Sequence, residues 1–336
     1  MQFCSDPRKW LVHTGDTDHF HIAVSRLHIL FKIYADTSPA PLPAPGLIIT
    51  PEIRSQCECY LPIASVAAYF YRLYRSALNY PPILSSTPFH KALSWVDVFV
   101  ALPPKFQFSA NPARILEALC ADYSLLTEFL FASFLPFRFY DGFGRYPRQL
   151  EFIRRWLTDR NMKTVRCLDA ACGTGEGVYD LACVLSELGL LPEEVHIDGW
   201  TLDPLEVWAA ATRRFPHDLQ REVDFQKKTS WLFERKFQDT IYFRCADLLI
   251  MSNEKPFDLI ICNGLLGGPI MHRSNEIERV VMHLAQLLAS EGILLATDRF
   301  HGGWKQHCPQ EELQAVFERH GLEIVETDEG IAGRKW

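Results

Sequence analysis

The sequence predicts an α/β protein: a doubly wound, mostly parallel seven-stranded sheet preceded by a mostly α-helical N-terminal domain. Three observations predict this fold class. Apolar strand-like segments alternate with amphipathic helical segments from about residue 147 onward. The central strand segments are apolar throughout, as in parallel sheets that are covered on both faces. The first half of the chain lacks this alternation and shows helical periodicity instead.

The predicted N-terminal domain covers residues 1–146. A helix is expected over 19–35, because apolar residues recur there at helical spacing. Residues 37–51 are predicted to form an extended loop, since prolines alternate with other residues in its stretch TSPAPLPAPG. Further helices are expected over 65–80, where two prolines follow, and over 111–134, which opens with Asn-Pro. Taken alone, this domain indicates no function.

The predicted C-terminal domain covers residues 147–336 and carries the alternating elements. Its first eight elements are a helix over 147–160, a strand over 165–170, a helix over 176–189, a strand over 195–203, a helix over 204–215, and strands over 240–247 and 257–264, followed by a helix over 275–290. A strand over 292–298, a helix over 309–321 and two strands over 322–328 and 331–336 complete it. The last two strands are expected to form a hairpin that adds one antiparallel strand.

Composition and charge exclude several classes of partner. The 336 residues carry 34 basic and 41 acidic side chains, a formal charge of −7, which argues against a nucleic-acid backbone as the main partner. Several of the ten cysteines lie in apolar runs and predict buried thiols rather than disulfides. Cys57 and Cys59 form the one close pair, and no metal site is expected. No signal peptide or membrane-spanning stretch is expected, so the predicted location is cytoplasmic.

The segment VRCLDAACGTGEG, 165–177, carries the first candidate site. Gly173 and Gly175 follow a strand and precede a helix, where the missing Cβ lets the backbone turn sharply and approach a ligand. Their spacing differs from the G-x-G-x-x-G of a dinucleotide site. Asp169 ends the strand, and Glu176 at the start of the helix would repel a pyrophosphate. The pattern therefore favours a ligand that is cationic on that side over a generic nucleotide-binding turn.

The stretch LDAACGTGEG resembles motif I of the class I S-adenosylmethionine-dependent methyltransferases. The acid, the glycines and the flanking strand and helix all agree with that motif. The resemblance implies a Rossmann-like fold with S-adenosylmethionine as cofactor, a ligand with an ammonium and a sulfonium group and no phosphate. It assigns Asp169, Ala171, Gly173, Gly175 and Glu176 to cofactor binding.

The ends of the next two predicted strands carry further cofactor-binding candidates. Asp203 closes the second strand and Pro204 opens the following helix. A carboxylate at that place can accept both ribose hydroxyls. The alternative is a helix N-cap, because Asp before Pro is a favoured helix start. After the third strand, the resemblance implies that Asp247, followed by Leu248, binds the adenine amino group, and the alternative there is a cap or a turn.

A closer resemblance is to the chemotaxis receptor glutamate methyltransferases. Their motif I continues as T-G-E-E-x-Y-S-L-A, and residues 174–182 read TGEGVYDLA. Their F-F-R segment before the catalytic domain is similar to FGR in this chain, which makes Arg145 the arginine beside the cofactor. At that family's motif IV this chain has Cys262, Asn263 and Gly264. The resemblance places Asn263 and Gly264 beside the transferred methyl group.

The chain also departs from that branch. The run CNGLLGGPI lacks the tyrosine thought to help position the substrate carboxylate, and the segment from Asp203 to Asp247 is short for the receptor-docking subdomain. The run is not the [DNS]-P-P-[YF] of amino-methylating nucleic-acid enzymes either, which counts against DNA as substrate. The resemblance thus covers residues 140–336 for fold and cofactor and does not reach the substrate.

The candidates for catalysis are Arg145 and, as a general base, His301. Methyl transfer depends mainly on positioning and on removing water, and a base helps when the acceptor is a neutral hydroxyl or amine. His301 lies in the predicted loop 299–304, for which a solvated loop is the alternative, and His272 is a further candidate. An aromatic group before the catalytic domain either closes over a sulfonium or forms interdomain core. Its members are Phe137, Phe139, Tyr140, Phe143 and Tyr146.

These observations predict an S-adenosylmethionine-dependent methyltransferase that acts by direct methyl displacement on an unidentified acceptor, a small molecule or a protein side chain. One alternative is a protein-glutamate O-methyltransferase of the chemotaxis type. The other is a non-catalytic cofactor-binding or scaffold protein. A nicotinamide dehydrogenase is disfavoured by the glycine spacing and by Glu176. A nucleic-acid partner and insertion into a membrane are not expected.

Overall fold

A computed structural model describes residues 17–71, 73, 87–89, 92–135, 142–268, 271–297 and 308–336. Contacts between Cα atoms divide the chain into two compact units. The helical unit holds the described residues up to 135 together with Phe215–Arg221. The sheet unit holds 142–214 and Glu222–Trp336. Within the described ranges, no helix is long and apolar enough to cross a membrane.

The described part of the helical unit contains α1 (Thr17–Thr37), α2 (Pro51–Tyr60), α3 (Ile63–Tyr71), α4 (Trp95–Ala101), α5 (Pro112–Ala121) and α6 (Tyr123–Phe134). The single helix expected over 111–134 is divided at Asp122. Its carboxylate accepts a hydrogen bond from the N–H of Ser124 (2.8 Å) and so caps a new helix. Most of the predicted helix 65–80 after Tyr71 lies outside the described residues.

Two helices, α2 and α4, are absent from the sequence prediction, and capping explains both. α2 begins inside the proline-rich stretch 37–51, because Thr50 accepts a hydrogen bond at its N-terminus and Pro51 occupies its first turn. α4 begins with a capping box in which the Asp97 carboxylate accepts the N–H of Ser94 at 3.0 Å. Short helices of this kind depend on such end contacts more than on periodicity.

Aromatic rings fill the core of the helical unit. The ring of Phe70 stacks on Trp95 and on Phe129, with centroids 5.6 and 5.4 Å apart. Phe89 stacks on Phe134 at 5.7 Å. The buried indole N–H of Trp95 donates to a backbone carbonyl at 2.7 Å, so the ring is buried without losing a hydrogen bond.

The α-helices that lie wholly or mainly in the sheet unit are α7 (Pro147–Arg160), α8 (Glu176–Glu187), α9 (Pro204–Thr212), α10 (Leu219–Glu234), α11 (Ser274–Leu287) and α12 (Gln310–Arg319). Its strands are β1 (Val165–Asp169), β2 (Val195–Thr201), β3 (Ile241–Cys245), β4 (Phe257–Ile261), β5 (Leu288–Ala296), β6 (Leu322–Val325) and β7 (Ile331–Lys335). The strand order is β3-β2-β1-β4-β5-β7-β6. Neighbours from β3 to β5 are parallel, and β7 is antiparallel to β5 and β6. The predicted fold class is confirmed, including the single antiparallel strand.

The topology places the candidate site at the carboxyl ends of the central strands. β1 pairs with β2 on one side and with β4 on the other, so the order of strand addition reverses between β1 and β4. Ligands of doubly wound sheets bind beyond the strand ends at such a switch point. The strands leading to it are firmly held, since Leu168, Ile260 and Leu294 have no exposed surface.

The region between β2 and β3 differs from the sequence prediction, which held one helix there. The structure adds α10, whose buried residues Phe225, Thr229 and Leu232 recur at helical spacing. Its other face carries many charged residues, so the apolar signal in the sequence is narrow.

The start of β5 also differs from the prediction. A helix was expected over 275–290 before a strand at 292, whereas α11 ends at Leu287 and β5 begins with the next residue. A Cβ at Gly292 would lie 3.1 Å from the carbonyl oxygen of Phe257, so the absence of a side chain lets the two strands approach closely there.

Candidate functional site

The glycine loop joins the end of β1 to α8. Gly173 and Gly175 both adopt left-handed backbone angles, with φ of 52° and 92°. A Cβ on Gly175 would lie 2.8 Å from the Cβ of Ala210 and 3.1 Å from the ring of Phe243. Both the backbone angle and the packing therefore require glycine at the position that precedes the first turn of α8.

Asp169 is a buried carboxylate at the end of β1, with 4% of the residue exposed. Its Oδ1 accepts a hydrogen bond from the N–H of Ala171 at 3.2 Å. A Cβ on Gly177 would lie 2.7 Å from Oδ2, so the third glycine of the segment leaves room for the carboxylate. Burial raises the pKa of Asp169 to about 7; the Ala171 N–H opposes this shift, and the charges of Glu176 and Asp180 add to it.

Glu176 is the first residue of α8 and is also buried. It accepts a hydrogen bond from the Thr174 hydroxyl at 2.7 Å, and the helix N-terminus favours its negative charge. Burial raises the pKa of the neighbouring Cys172 thiol, and the carboxylates of Asp169, Glu206 and Glu176 raise it further. The glycine loop is therefore surrounded by several carboxylates, as a ligand with positive charge requires.

The end of β2 contributes Asp203, which is the N-cap of α9. Its Oδ1 accepts the N–H of Leu205 at 2.8 Å, and Pro204 occupies the first turn. The cap offered as the alternative to ribose binding is thus present, and the cap leaves the second carboxylate oxygen out of that bond. Sequence analysis missed Glu206, which accepts a hydrogen bond from Thr201 on the same strand end. An acidic residue in the first turn after Asp-Pro was the available signal.

Asp247 follows β3 and forms a turn. Its Oδ1 accepts the N–H of Leu249 at 2.9 Å, and its carbonyl accepts the N–H of Ile250 at 3.0 Å. Leu248 is buried, and its carbonyl accepts a hydrogen bond from Nδ1 of His283 at 2.9 Å. The turn alternative is therefore observed for Asp247, and adenine binding by this residue remains a prediction.

At the end of β4, Asn263 forms a reciprocal amide pair with Gln149 of α7. The Asn263 Nδ2 donates to Oε1 of Gln149 at 2.7 Å, and the Gln149 Nε2 donates to Oδ1 of Asn263 at 3.0 Å. Gly264 follows with φ of 72° and donates its N–H to the carbonyl of Thr297 beyond β5, at 2.8 Å. A Cβ at this glycine would lie 3.8 Å from the Tyr146 hydroxyl. The structure thus joins the predicted motif IV to α7.

Glu329, in the turn between β6 and β7, caps α7 from a distant part of the chain. Its Oε2 accepts the N–H groups of Arg148 and Gln149 at 3.0 and 3.1 Å. Gln149 and Glu329 are buried, and so is Thr297, which accepts a hydrogen bond from the Gln149 amide at 2.9 Å. Sequence analysis missed all three, because local sequence gives no sign of a cap whose partner lies 180 residues away.

The predicted catalytic residues differ in what the structure says of them. Arg145 is half-buried beside the N-terminus of α7, with its guanidinium carbon 5.5 Å from the ring centroid of Tyr146. Phe143 packs edge-on against Phe225 at 4.9 Å, so this member of the aromatic group contacts α10. His272 is half-buried after β4. His301, with the whole predicted loop 299–304, lies outside the described residues.

Three further aromatic candidates also lie outside the described residues: Phe137, Phe139 and Tyr140. Within the described ranges, no group of three or more histidine, cysteine, aspartate or glutamate side chains is arranged to hold a metal ion. The described candidate site is therefore the carboxyl edge of the sheet, from the glycine loop across to the amide pair.

Comparison with known proteins gives one family match and several similar proteins. Residues 142–299 match the family described as CheR methyltransferase, SAM binding domain. A chemotaxis protein methyltransferase of Listeria innocua is 30% identical over 124 residues, 34% of this chain and 47% of that protein. One of Listeria monocytogenes is 27% identical over 164 residues, 46% of this chain and 59% of that protein. The chain thus spans about half the length of the curated relatives it matches.

Among solved structures, the N-methyltransferase NodS from Bradyrhizobium japonicum is similar with a TM-score of 0.39 and 15% identity, over 57% of this chain and 98% of that one. The matched family segment contains the glycine loop and the ends of β1 to β4. The predicted family and cofactor are confirmed by the family match. Residues 142–299 thus match an S-adenosylmethionine-binding domain of the CheR type, and the chain is similar to chemotaxis protein methyltransferases over part of their length.

Proposed function

We propose that this protein transfers the methyl group of S-adenosylmethionine to an acceptor by direct displacement and releases S-adenosylhomocysteine. The observation that carries the proposal is the acidic glycine loop at the switch point of the sheet, in the segment matched by the family. When bound, S-adenosylmethionine supplies a methyl group made electrophilic by its sulfonium charge. The residues of the chain bind and orient the cofactor and the acceptor, and they exclude water from the reacting atoms.

The carboxylates fit the chemistry of this cofactor. Asp169 and Glu176 are both buried beside backbone that turns through Gly173 and Gly175. Buried carboxylates without a cation are unfavourable, and an ammonium or sulfonium group offsets that cost. We assign these four residues, with Ala171, to the methionine side of the cofactor.

The next strand ends supply the nucleoside side. Asp203 and Pro204 follow β2, and we assign the Asp203 carboxylate to the ribose hydroxyls in addition to its role as a cap. Glu206 lies in the same first turn of α9 and is a second carboxylate for this side. Asp247 and Leu248 are proposed to contact adenine through the turn that they form.

The methyl group and its acceptor are assigned to the part of the edge beyond β4 and β5. Asn263 and Gly264 are proposed to lie beside the methyl group, with Arg145 near the cofactor and His301 as a base for acceptors that need one. The two Listeria relatives are named chemotaxis protein methyltransferases. Their names support a protein acceptor. A glutamate side chain of that protein is the more specific, second candidate, because a carboxylate needs no base to be methylated.

The first test is calorimetric titration of the full chain with S-adenosylmethionine, S-adenosylhomocysteine and NAD. Binding of the first two with micromolar affinity and no binding of NAD is expected. Absence of binding by both would overturn the proposal. Release of S-adenosylhomocysteine in the presence of candidate acceptors, proteins with exposed glutamates among them, then tests turnover. Tight binding with no release for any acceptor would favour a non-catalytic binding protein.

Two variants of Asp203 separate its roles. Asp203→Asn keeps an oxygen that can accept the Leu205 N–H, whereas Asp203→Ala removes the cap as well as the charge. Both are expected to weaken S-adenosylmethionine binding by about tenfold or more, the value of a hydrogen bond to a charged group. Only Asp203→Ala is expected to lower the melting temperature. Wild-type affinity in Asp203→Asn would show that Asp203 is a cap and no more.

A further inference from the structure

A directed chain of hydrogen bonds runs from the β6–β7 turn to Asn263. The Thr297 hydroxyl donates to the backbone carbonyl of Glu329 at 3.3 Å. The Gln149 Nε2 donates to the Thr297 oxygen at 2.9 Å and to the Asn263 Oδ1 at 3.0 Å. The Gln149 Oε1 accepts from the Asn263 Nδ2 at 2.7 Å. Gln149 and Thr297 are 1% and 6% exposed, so water does not replace these bonds.

The direction of this chain is fixed at its far end. A backbone carbonyl only accepts, so the single proton of Thr297 points at Glu329 and the hydroxyl oxygen accepts from its other neighbour. That neighbour must be the NH₂ end of the Gln149 amide. The Oε1 end of Gln149 then faces Asn263, which must present its Nδ2 there. Each orientation follows from the previous one.

The Gln149 and Asn263 amides have a second arrangement in which both are flipped. The reciprocal pair survives in that arrangement, because oxygen and nitrogen exchange places on both sides. Thr297 then has two acceptors and one proton, so one hydrogen bond is lost. An ordinary hydrogen bond is worth about fivefold in an equilibrium, which favours the observed arrangement by about that factor.

We propose that Thr297 and Gln149 are positioning residues, which fix the edge of the Asn263 amide that faces the methyl-transfer site. The inference rests on the proposed function, which places Asn263 beside the methyl group. Asn263 is half-buried. The pair with Gln149 uses one of the two Nδ2 hydrogens and one of the two Oδ1 lone pairs, so one of each remains outside that pair. A flip exchanges a donor for an acceptor at each of these places. The β6–β7 turn thus sets the polarity of the Asn263 amide through Thr297 and Gln149.

The turn is packed so that this bond is kept. Gly330 has φ of 79°, and a Cβ there would lie 2.1 Å from the Thr297 Oγ1 and 2.3 Å from the carbonyl oxygen of Ala296. A side chain at residue 330 would push the Glu329 carbonyl away from Thr297. Glu329 is also held on its other side, since its carboxylate caps α7, the helix that carries Gln149.

The test compares Thr297→Val, which keeps the shape and removes the hydroxyl, with Thr297→Ser, which keeps the hydroxyl. In Thr297→Val the observed arrangement leaves a buried N–H of Gln149 without an acceptor, and the flipped one leaves only a lone pair, so the preference reverses. Calorimetry with S-adenosylmethionine and S-adenosylhomocysteine, which differ at the methyl group, gives the ratio of the two dissociation constants. That ratio is expected to change about threefold or more in Thr297→Val and to stay near the wild-type value in Thr297→Ser.

Selective ¹⁵N labelling of asparagine gives a second readout that needs no ligand. The Asn263 NH₂ signals, identified by their loss in Asn263→Asp, are expected to shift in Thr297→Val and to keep their positions in Thr297→Ser. Gln149→Met, which removes the amide and keeps the chain length, is expected to move the ratio as well and serves if Thr297→Val does not fold.

The inference is overturned if folded Thr297→Val or Gln149→Met keeps both the wild-type ratio and the wild-type Asn263 signals. It is also overturned if Thr297→Ser changes the ratio as much as Thr297→Val, because the hydroxyl would then be irrelevant. A wild-type chain that binds neither ligand would instead overturn the proposed function on which the inference rests. The failure of the inference is seen in the variants, whereas the failure of the proposed function is seen in the wild-type protein.

Discussion

Replacement of Asp169 by asparagine tests the electrostatic cost of the glycine loop. Asp169→Asn keeps an oxygen that can accept the Ala171 N–H and removes the charge. The residue is 4% exposed, and burial raises its pKa to about 7, with the charges of Glu176 and Asp180 adding to the shift. At neutral pH the carboxyl is ionised in the unfolded chain, so folding must either bury that charge or take up a proton, and both cost free energy.

The sign of the effect follows from proton linkage. The folded chain keeps the Asp169 proton up to a pKa of about 7, whereas the unfolded chain releases it at the ordinary value of 3.8. This contribution to stability is therefore complete below pH 3.8 and is lost as the pH rises through about 7. At about 1.4 kcal/mol per pH unit over about three units, the loss is at most about 4 kcal/mol.

Urea unfolding of wild type and Asp169→Asn at about pH 4.5, 6 and 7.5 measures the difference in unfolding free energy. The unfolding free energy of the variant relative to wild type is expected to rise steadily with pH. At the highest pH the variant is expected to be more stable by a few kcal/mol. Asp122→Asn is the matched control, because asparagine caps a helix about as well as aspartate. The difference in unfolding free energy between this variant and wild type should stay near zero. A variant less stable than wild type at neutral pH, or a difference independent of pH, would refute the reasoning.

The same variant should lose affinity for S-adenosylmethionine if the buried charge of Asp169, which lowers the stability of the fold, serves to bind the cofactor. Wild-type affinity is expected to rise as the pH rises through about 7, where Asp169 becomes charged, and the affinity of Asp169→Asn should lack this dependence. Calorimetry over the same pH range measures both. A variant that is more stable and binds equally well would leave the buried carboxylate without a function.

Three further changes test other parts of the fold. Burial lowers the pKa of His217 to about 4, so its contribution to stability is lost as the pH falls from 6.5 through 4. The melting temperature of His217→Gln is expected to approach that of wild type as the pH falls over this range. A difference in melting temperature that stays constant would contradict this. Glu329→Ala removes the cap of α7 and should cost about 1–2 kcal/mol in urea unfolding, whereas Glu329→Gln should cost less; equal costs would exclude capping. Gly177→Ala places a Cβ against the Asp169 carboxylate and should destabilise by about 1–3 kcal/mol, despite the helix propensity of alanine; a more stable variant would refute the clash.

The sheet could be predicted from sequence because its signals are local. Each central strand is a short apolar run. Asp203 is followed directly by Pro204, and Asp169 lies four residues before Gly173, so a proline and a glycine mark where these strands end. Their positions at the carboxyl edge then follow because parallel strands all end at the same edge of the sheet. α10 was missed because only three of its residues are buried among many charged ones.

The second half of the site could not be predicted, since its contacts are non-local. Gln149 is one polar residue on an amphipathic helix, and its partners Asn263, Thr297 and Glu329 lie 114, 148 and 180 residues further along the chain. No periodicity or capping rule refers to such distances. The raised pKa of Asp169 is equally non-local in origin, because burial by the assembled sheet is its main cause.

The two halves of the carboxyl edge therefore differ in chemistry as well as in predictability. Beyond β1 and β2, Asp169, Glu176 and Glu206 gather negative charge around the glycine loop. Beyond β4 and β5, the side chains that bond to one another are the amides of Gln149 and Asn263 and a hydroxyl. On the proposed function, methyl transfer removes the sulfonium charge, so the acidic half holds the substrate cofactor more tightly than its product and favours product release. The half that holds the amide pair selects by the direction of its donors and acceptors. Changes in the amide pair should therefore alter acceptor specificity and the preference between S-adenosylmethionine and S-adenosylhomocysteine, whereas the acidic half sets most of the cofactor affinity.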